Sequence, residues 1–171
     1  MSFRDRAIVH LIEYKHNVLN VTEPGRWKRN GKEYAHILPE GMLELNLLEG
    51  YRSELMAYIR DNKIRLHKDF HHLNSSQALC LNFFYPMLAD NQMHLLLELL
   101  HCEDEGYETC MFERVSEIDG TNFDFSISLK SGREIYFEIK YSENRFGSVK
   151  DKEQYRRKYK EVYRKQLWKN P

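Results

Sequence analysis

Long hydrophobic runs are missing from this chain: no segment approaches the roughly twenty consecutive apolar residues that a membrane-spanning helix needs. The start, Met1-Ser2-Phe3-Arg4-Asp5-Arg6, lacks the apolar stretch of a secretory signal, so no membrane partner and a cytoplasmic location are expected. Cysteine is scarce. Cys80, Cys102 and Cys110 are odd in number and have no close pairing, which argues against a disulfide framework and against a zinc ribbon. Cys80, within Ala78-Leu79-Cys80-Leu81, reads as core. His101 and Cys102 with Cys110 make a poor soft-metal set, because the close ligand pairs of structural zinc sites are absent. Net charge is absent as well, with 26 Lys and Arg against 26 Asp and Glu. That balance hides an asymmetry: from Lys150 to Pro171 nine basic residues face three acidic ones, leaving 17 against 23 in residues 1–149.

What is present suits one sizeable core. With 171 residues, 42% of them hydrophobic, one domain spanning residues 1–171 is expected rather than two. Helical spacing of apolar residues predicts a helix, or a short helix and turn, in residues 1–20 and helices in residues 43–64, 76–88 and 91–102, with Pro24-Gly25 as a break. Asn74 or Ser75 caps the third of these. The fourth, with Leu95, Leu96, Leu97, Leu99 and Leu100, is expected to be buried. Residues 1–70 thus form a mostly helical extension. Arg26-Trp27-Lys28-Arg29-Asn30-Gly31-Lys32 is a basic loop with an aromatic, suited equally to contacting nucleic acid and to covering the edge of the core. His67, His71 and His72 read as solvated loop histidines, because a Mg2+-type metal prefers oxygen ligands.

Two strands carry the most informative residues. In Asn122-Phe123-Asp124-Phe125-Ser126-Ile127-Ser128-Leu129 and in Glu134-Ile135-Tyr136-Phe137-Glu138-Ile139-Lys140-Tyr141, apolar residues fall on odd numbers, the period of a half-buried strand. Asp124, Glu138 and Lys140 therefore share the wetter face. The connecting Lys130-Ser131-Gly132 suits a three-residue hairpin loop with Gly132 left-handed, which pairs Leu129 with Arg133 and sets Asp124 opposite Glu138. A two-residue loop would put Asp124 against Ile139, on the wrong face. Two carboxylates on adjacent strands can share a Mg2+ ion, and an ammonium such as Lys140 can orient water or neutralise charge on a phosphate. A solvated amphipathic hairpin accounts for the same pattern. Cys110 to Val115 reads as the preceding strand. There Glu113 has the parity of Met111 and Val115, which predicts a carboxylate among apolar groups, compensated by a neighbouring metal, or an end-of-strand surface position.

Asp124 followed by Glu138-x-Lys140 on the next strand resembles the PD-(D/E)xK nuclease superfamily. The segment from His72-Leu73-Asn74-Ser75-Ser76-Gln77 to Phe84, with Tyr141, Glu143 and Phe146-Gly147, is similar to a branch of bacterial nucleases called the PGN_0703-like family. The likeness runs from about Trp27 to Gly147, and Asn122-Phe123 stands where the superfamily has its proline. It implies an α/β, restriction-endonuclease-like core in residues 71–171: a central mixed sheet with a β-meander flanked by helices. It also implies Mg2+- or Mn2+-dependent hydrolysis of DNA, endonucleolytic before exonucleolytic, in restriction, defence or repair. Asp124 and Glu138 would hold the metal and Lys140 would serve catalysis. Gln77 and Glu113 would support the site, and Glu98 and Gln154 are lesser candidates. Glu143, which follows Lys140 on the chain, reads as a residue behind the ligands or at the surface rather than as a ligand. Enzymes of this type often pair to cut two strands, so a homodimer is a further expectation. Relatives carry a C-terminal strand and helix that this chain is expected to lack. The alternative is a catalytically inactive nucleic-acid-binding module on the same fold.

The basic C-terminal segment has its own pattern. Tyr155, Tyr159, Tyr163 and Leu167 recur every four residues as one face of a helix, ringed by Arg156, Arg157, Lys160 and Arg164, which are candidate phosphate contacts. A helix docked on the core with a charged outer face reads equally from these residues.

Overall fold

A computed structural model describes residues 1–117, 120–143 and 153–163. Helix α1, Phe3–Asn17, starts in a reciprocal cap in which Ser2 Oγ accepts from the Asp5 amide and the Asp5 carboxylate accepts from the Ser2 amide. It ends before Pro24-Gly25, where strand β1 (Gly25–Arg26) pairs antiparallel with β2 (Glu33–Tyr34). Gly25 is required there, because a Cβ would lie 2.2 Å from the Leu38 carbonyl oxygen. Lys15 is wholly buried, its ammonium donating to the carbonyls of Glu23, Ala35 and Ile37 at 2.5, 3.0 and 2.7 Å, which ties α1 to this segment.

Residues 43–64 are not one continuous helix. Two 3-10 turns, Leu43–Asn46 and Glu49–Tyr51, precede helix α2, Arg52–Asp61. Side chains divert the backbone there: Asn46 Nδ2 donates to the Phe70 and His72 carbonyls, and the Leu48 amide donates to Asn82 Oδ1. Helix α3, Ser76–Ala89, is capped by Ser75, whose hydroxyl accepts from the Ala78 amide at 3.3 Å. Asn74, the other expected cap, donates instead to Ser142 Oγ at 2.9 Å. Helix α4, Met93–Leu99, buries Met93, Leu96 and Leu97 but leaves Leu95 and Leu99 51% and 73% exposed, so the expectation of full burial fails for its outer face.

Strands β3 (Tyr107–Val115), β4 (Asn122–Leu129) and β5 (Glu134–Phe137) form an antiparallel meander in that order. Both sheets among the described residues are antiparallel, so the mixed pairing expected from the resemblance is not found there. The β4–β5 hairpin has the expected register: the Leu129 amide donates to the Arg133 carbonyl, Ile127 faces Ile135, and Gly132 takes a φ of +85°. One face of the meander meets α3. Phe84 stacks on Phe125 with centroids 3.9 Å apart, and Phe112 and Phe137 complete the aromatic cluster. Leu47, Leu55, Ile59 and Phe70 belong to the same buried cluster, so the segment before residue 71 contributes core rather than only extending it. Each such fully buried side chain stabilises the fold by roughly 1.5–3 kcal/mol.

Candidate active site

The core face of β4 leaves Asp124 on the opposite side, where it is half-buried. Helix α3 passes close by: the Cys80 thiol, pushed up by burial, donates to the Asp124 carbonyl at 3.5 Å. Strand β5 ends at Phe137, four residues earlier than the alternation predicts, and Glu138 to Lys140 continue without ladder pairing. The reason is a side-chain bond. The Ile139 amide donates to Asp124 Oδ2 at 2.6 Å, so the carboxylate takes the place of a ladder acceptor. Continued one step past Phe125↔Phe137, the register sets Glu138 across from Asp124. Glu138 and Lys140 do share a side, with Lys140 Nζ 2.5 Å from Glu138 Oε1.

The charges in this group act on one another. Burial holds the Asp124 carboxyl above its ordinary value; the Ile139 amide and Lys140 lower it, while Glu138 and Glu113 raise it again. Burial disfavours the Lys140 ammonium, but the contact with Glu138 and the nearby Asp124 and Glu143 outweigh that and hold it above the usual lysine range. Lys140 is therefore a cation at neutral pH, a hydrogen-bond donor and not a base.

Glu113 corrects a parity argument. Phe112 faces Phe125 and Arg114 faces Phe123, so Glu113 lies across from Asp124. It does not sit among buried apolar groups, because Met111 and Val115 are 43% and 57% exposed and the core face of β3 belongs to Phe112. Its backbone is left-handed, φ +53°, a conformation that costs a residue other than glycine about 1 kcal/mol or more. Its carboxylate is held at both oxygens, by Gln77 Nε2 at 2.7 Å and Asn122 Nδ2 at 2.5 Å. Gln77 is buried and also bonds the Arg65 carbonyl at 3.0 Å and the His67 amide at 2.7 Å. It organises the site rather than standing free to meet a substrate.

A cleft of about 1280 Å3 runs along this group, lined among others by Gln77, Glu113, Asn122, Asp124, Lys140 and Glu143. Burial pushes Glu143 up, but the Ser76 hydroxyl at 2.7 Å and the amides of Tyr141 and Ser142 hold it below the ordinary glutamate value. Asn122, Arg65 and Ser76 are not marked as site residues by the sequence; Asn122 shares the parity of Asp124 and Arg65 stands in a short alternation, while Ser76 leaves no signal. Glu98 is exposed on α4 and is not among the cleft residues. The histidines divide. His67 is exposed, its Nε2 3.8 Å from Glu113 Oε1, whereas His72 is 9% exposed and burial drives it down to about 4, so it is no solvated loop residue.

Among the described residues no group of three or more His, Cys, Asp or Glu side chains is gathered as a metal site. Cys102 is occupied by Arg133, whose Nη2 lies 3.4 Å from its sulfur. The donors near Asp124 are nevertheless hard carboxylate oxygens, and a partly desolvated carboxyl raised by its acidic neighbours is what a divalent cation relieves. The residues fit Mg2+ or Mn2+ better than a soft metal.

Residues Glu153–Lys158 form helix α5, followed by a π-helical turn, Tyr159–Tyr163. Tyr155 and Tyr159 are 42% and 57% exposed, so the aromatic stripe is not buried at these positions. Arg156 and Lys160 are exposed, and Arg157 pairs with Glu161 at 3.6 Å. Arg164 and the Gln154 side chain lie outside the described residues. No described helix is long and apolar enough to cross a membrane.

No curated protein matches this chain, and no solved structure does. A family model described as restriction endonuclease associating with ARP matches residues 9–171. With nearly its whole length covered, including the meander, α3 and the carboxylate group at Asp124, the chain belongs to this restriction-endonuclease family.

Proposed function

We propose that this chain is a metal-dependent nuclease of the PD-(D/E)xK type that hydrolyses phosphodiester bonds in DNA. The observation that supports the reading best is the convergence of Asp124, Glu138 and Lys140 across β4 and the end of β5, with Asp124 anchored by the Ile139 amide. Asp124 and Glu138 would hold Mg2+ or Mn2+. Such an ion, when bound, supplies Lewis acidity toward a phosphoryl oxygen and a more acidic water.

The protein's own groups divide the rest of the work. Lys140, held as an ammonium beside Glu138, donates to the anionic phosphate and offsets charge that grows there in the transition state. Glu113 adds negative potential that favours a cation at Asp124, and Gln77 with Asn122 fixes its rotamer. Arg156, Arg157, Lys160 and Arg164 would make sequence-independent phosphate contacts. Cutting both strands of a duplex would call on two copies of the chain. Association with ARP, named in the family's description, belongs to the same reading.

The test is cleavage of supercoiled plasmid DNA in Mg2+ by the wild type, Asp124→Ala and Lys140→Ala. Nicking or linearisation that stops on chelation and falls by about two orders of magnitude or more in both variants is the expected result. Cleavage that survives both substitutions sinks the assignment.

A further inference from the structure

The wall of the cleft facing the carboxylates is basic, and its pattern is that of an extended strip. Helix α2 ends in a paired turn in which the Lys63 amide donates to the Arg60 carbonyl and the Ile64 amide to the Ile59 carbonyl. The residue between them usually is glycine, because it must be left-handed; here it is Lys63, at φ +54°. From Ile64 to His67 the chain is neither helical nor paired in a ladder, and its exposure alternates residue by residue as in an extended segment. Ile64 and Leu66 turn inward onto the core, so Lys63, Arg65 and His67 face out and line the cleft, with Lys68 following. The acid of this segment, Asp69, has Oδ1 3.7 Å from the buried His72 Nε2. Arg29, over the Trp27 ring at 6.0 Å, lines the same cleft.

Two further observations give the strip a purpose. Arg29, Lys63, Arg65 and Lys68 make no ion pair with a carboxylate among the described residues. The strip is also fastened to the acidic group by one side chain: Gln77 bonds the Arg65 carbonyl and the His67 amide while it bonds Glu113. Arg65 and His67 are alternate residues of this segment, a spacing of roughly 6–7 Å in an extended chain and of the same order as successive phosphates along one strand of DNA. A left-handed lysine where glycine is cheaper, a row of unpaired cations and a fixed distance to the carboxylates converge on one ligand chemistry.

We propose that Lys63, Arg65 and Lys68, with Arg29, form a rail that binds the DNA backbone next to the phosphodiester held at Asp124, and that Gln77 sets the distance from rail to site. The inference rests on the nuclease reading for the identity of its ligand, but it concerns binding and not hydrolysis. Phosphates on the rail release condensed counterions, so affinity carries a salt dependence to which each contact contributes.

The experiment titrates a short fluorescent DNA duplex, and the same strand unpaired, in EDTA over a range of salt. The proteins are the wild type, Arg65→Gln/Lys68→Gln, Lys63→Gly and, as control, Arg60→Gln, whose guanidinium pairs with Asp61 outside the cleft. The double variant should bind at least tenfold more weakly, with the slope of log affinity against log salt reduced by nearly two, about 0.9 per lost phosphate contact. Lys63→Gly should melt about 2–4 °C higher and bind more weakly, two effects that a purely structural lysine would not separate. Unchanged affinity and slope in the double variant overturn the rail, as does equal weakening by Arg60→Gln, which would mark a general charge effect. The hydrolytic reading is scored apart: if nothing cleaves DNA yet the rail variants lose affinity, hydrolysis fails and the rail stands. If Asp124→Ala abolishes cleavage while the rail variants bind normally, the rail alone fails.

Discussion

The Ile139 amide donates to Asp124 Oδ2 at 2.6 Å, so the backbone of the Glu138-x-Lys140 segment holds the carboxylate that faces it. The bond removes one soft torsion from Asp124 and ends the β4–β5 ladder at Phe137. It does so on a carboxyl that burial and acidic neighbours disfavour as an anion. An acid raised in the folded state contributes stability below its unfolded value, and that contribution is lost as pH rises through the folded one. At neutral pH the Asp124 charge is therefore destabilising. Asp124→Asn, whose Oδ1 can still accept from Ile139, should raise the melting temperature while abolishing cleavage. Calorimetry at pH 7.5 checks this, and a lowered melting temperature would show that the charge is satisfied within the fold.

Gln77 ties three elements with three hydrogen bonds and is 3% exposed. Gln77→Leu keeps the volume but strands the His67 amide, the Arg65 carbonyl and one Glu113 oxygen. Urea denaturation should report a loss of about 2–3 kcal/mol. Gln77→Glu should restore the acceptor for His67 yet repel Glu113, so it should recover little of the stability.

Lys15 does for the N-terminal segment what Gln77 does for the cleft. Its ammonium is the donor for the carbonyls of Glu23, Ala35 and Ile37, the last of them buried. Lys15→Met fills the space and leaves those acceptors unpaired, at an expected cost of about 2–4 kcal/mol. A denaturation midpoint equal to that of the wild type would show that water replaces the ammonium without loss.

His72 carries the clearest pH signature. Burial first, then the neighbouring His71 and His36, lower it from 6.5 to about 4, and Asp69 opposes them. A folded value below the unfolded one gives stability that is present above pH 6.5 and lost as pH falls toward 4. The loss amounts to as much as about 3 kcal/mol across that window. His72→Gln should flatten this part of the stability profile relative to the wild type. Parallel profiles would assign the acid sensitivity to other groups.

The hairpin was legible because its determinants are local. Alternation over eight residues fixed which face Asp124 and Glu138 share, and one left-handed glycine, Gly132, fixed the register. Glu113 misled because Met111 and Val115 are apolar yet exposed, so parity with them says nothing of burial. Residues 43–64 read as one helix because the diverting partners, Asn82 and the carbonyls of Phe70 and His72, lie 24 to 36 residues away. The burial of Lys15 and His72 and the triple role of Gln77 are likewise long-range, and no residue-level pattern announces them. The basic wall left a local trace in Lys63-Ile64-Arg65-Leu66-His67, a short alternation that the apolar pattern of the preceding helix concealed.

The most direct measurement of the central claim is an anomalous difference map from a crystal of the wild-type protein soaked in Mn2+. A peak between the carboxylates of Asp124 and Glu138, absent from an Asp124→Asn crystal treated alike, is the result the account expects. Peaks only elsewhere, or no peak at this pair at saturating Mn2+, would contradict it.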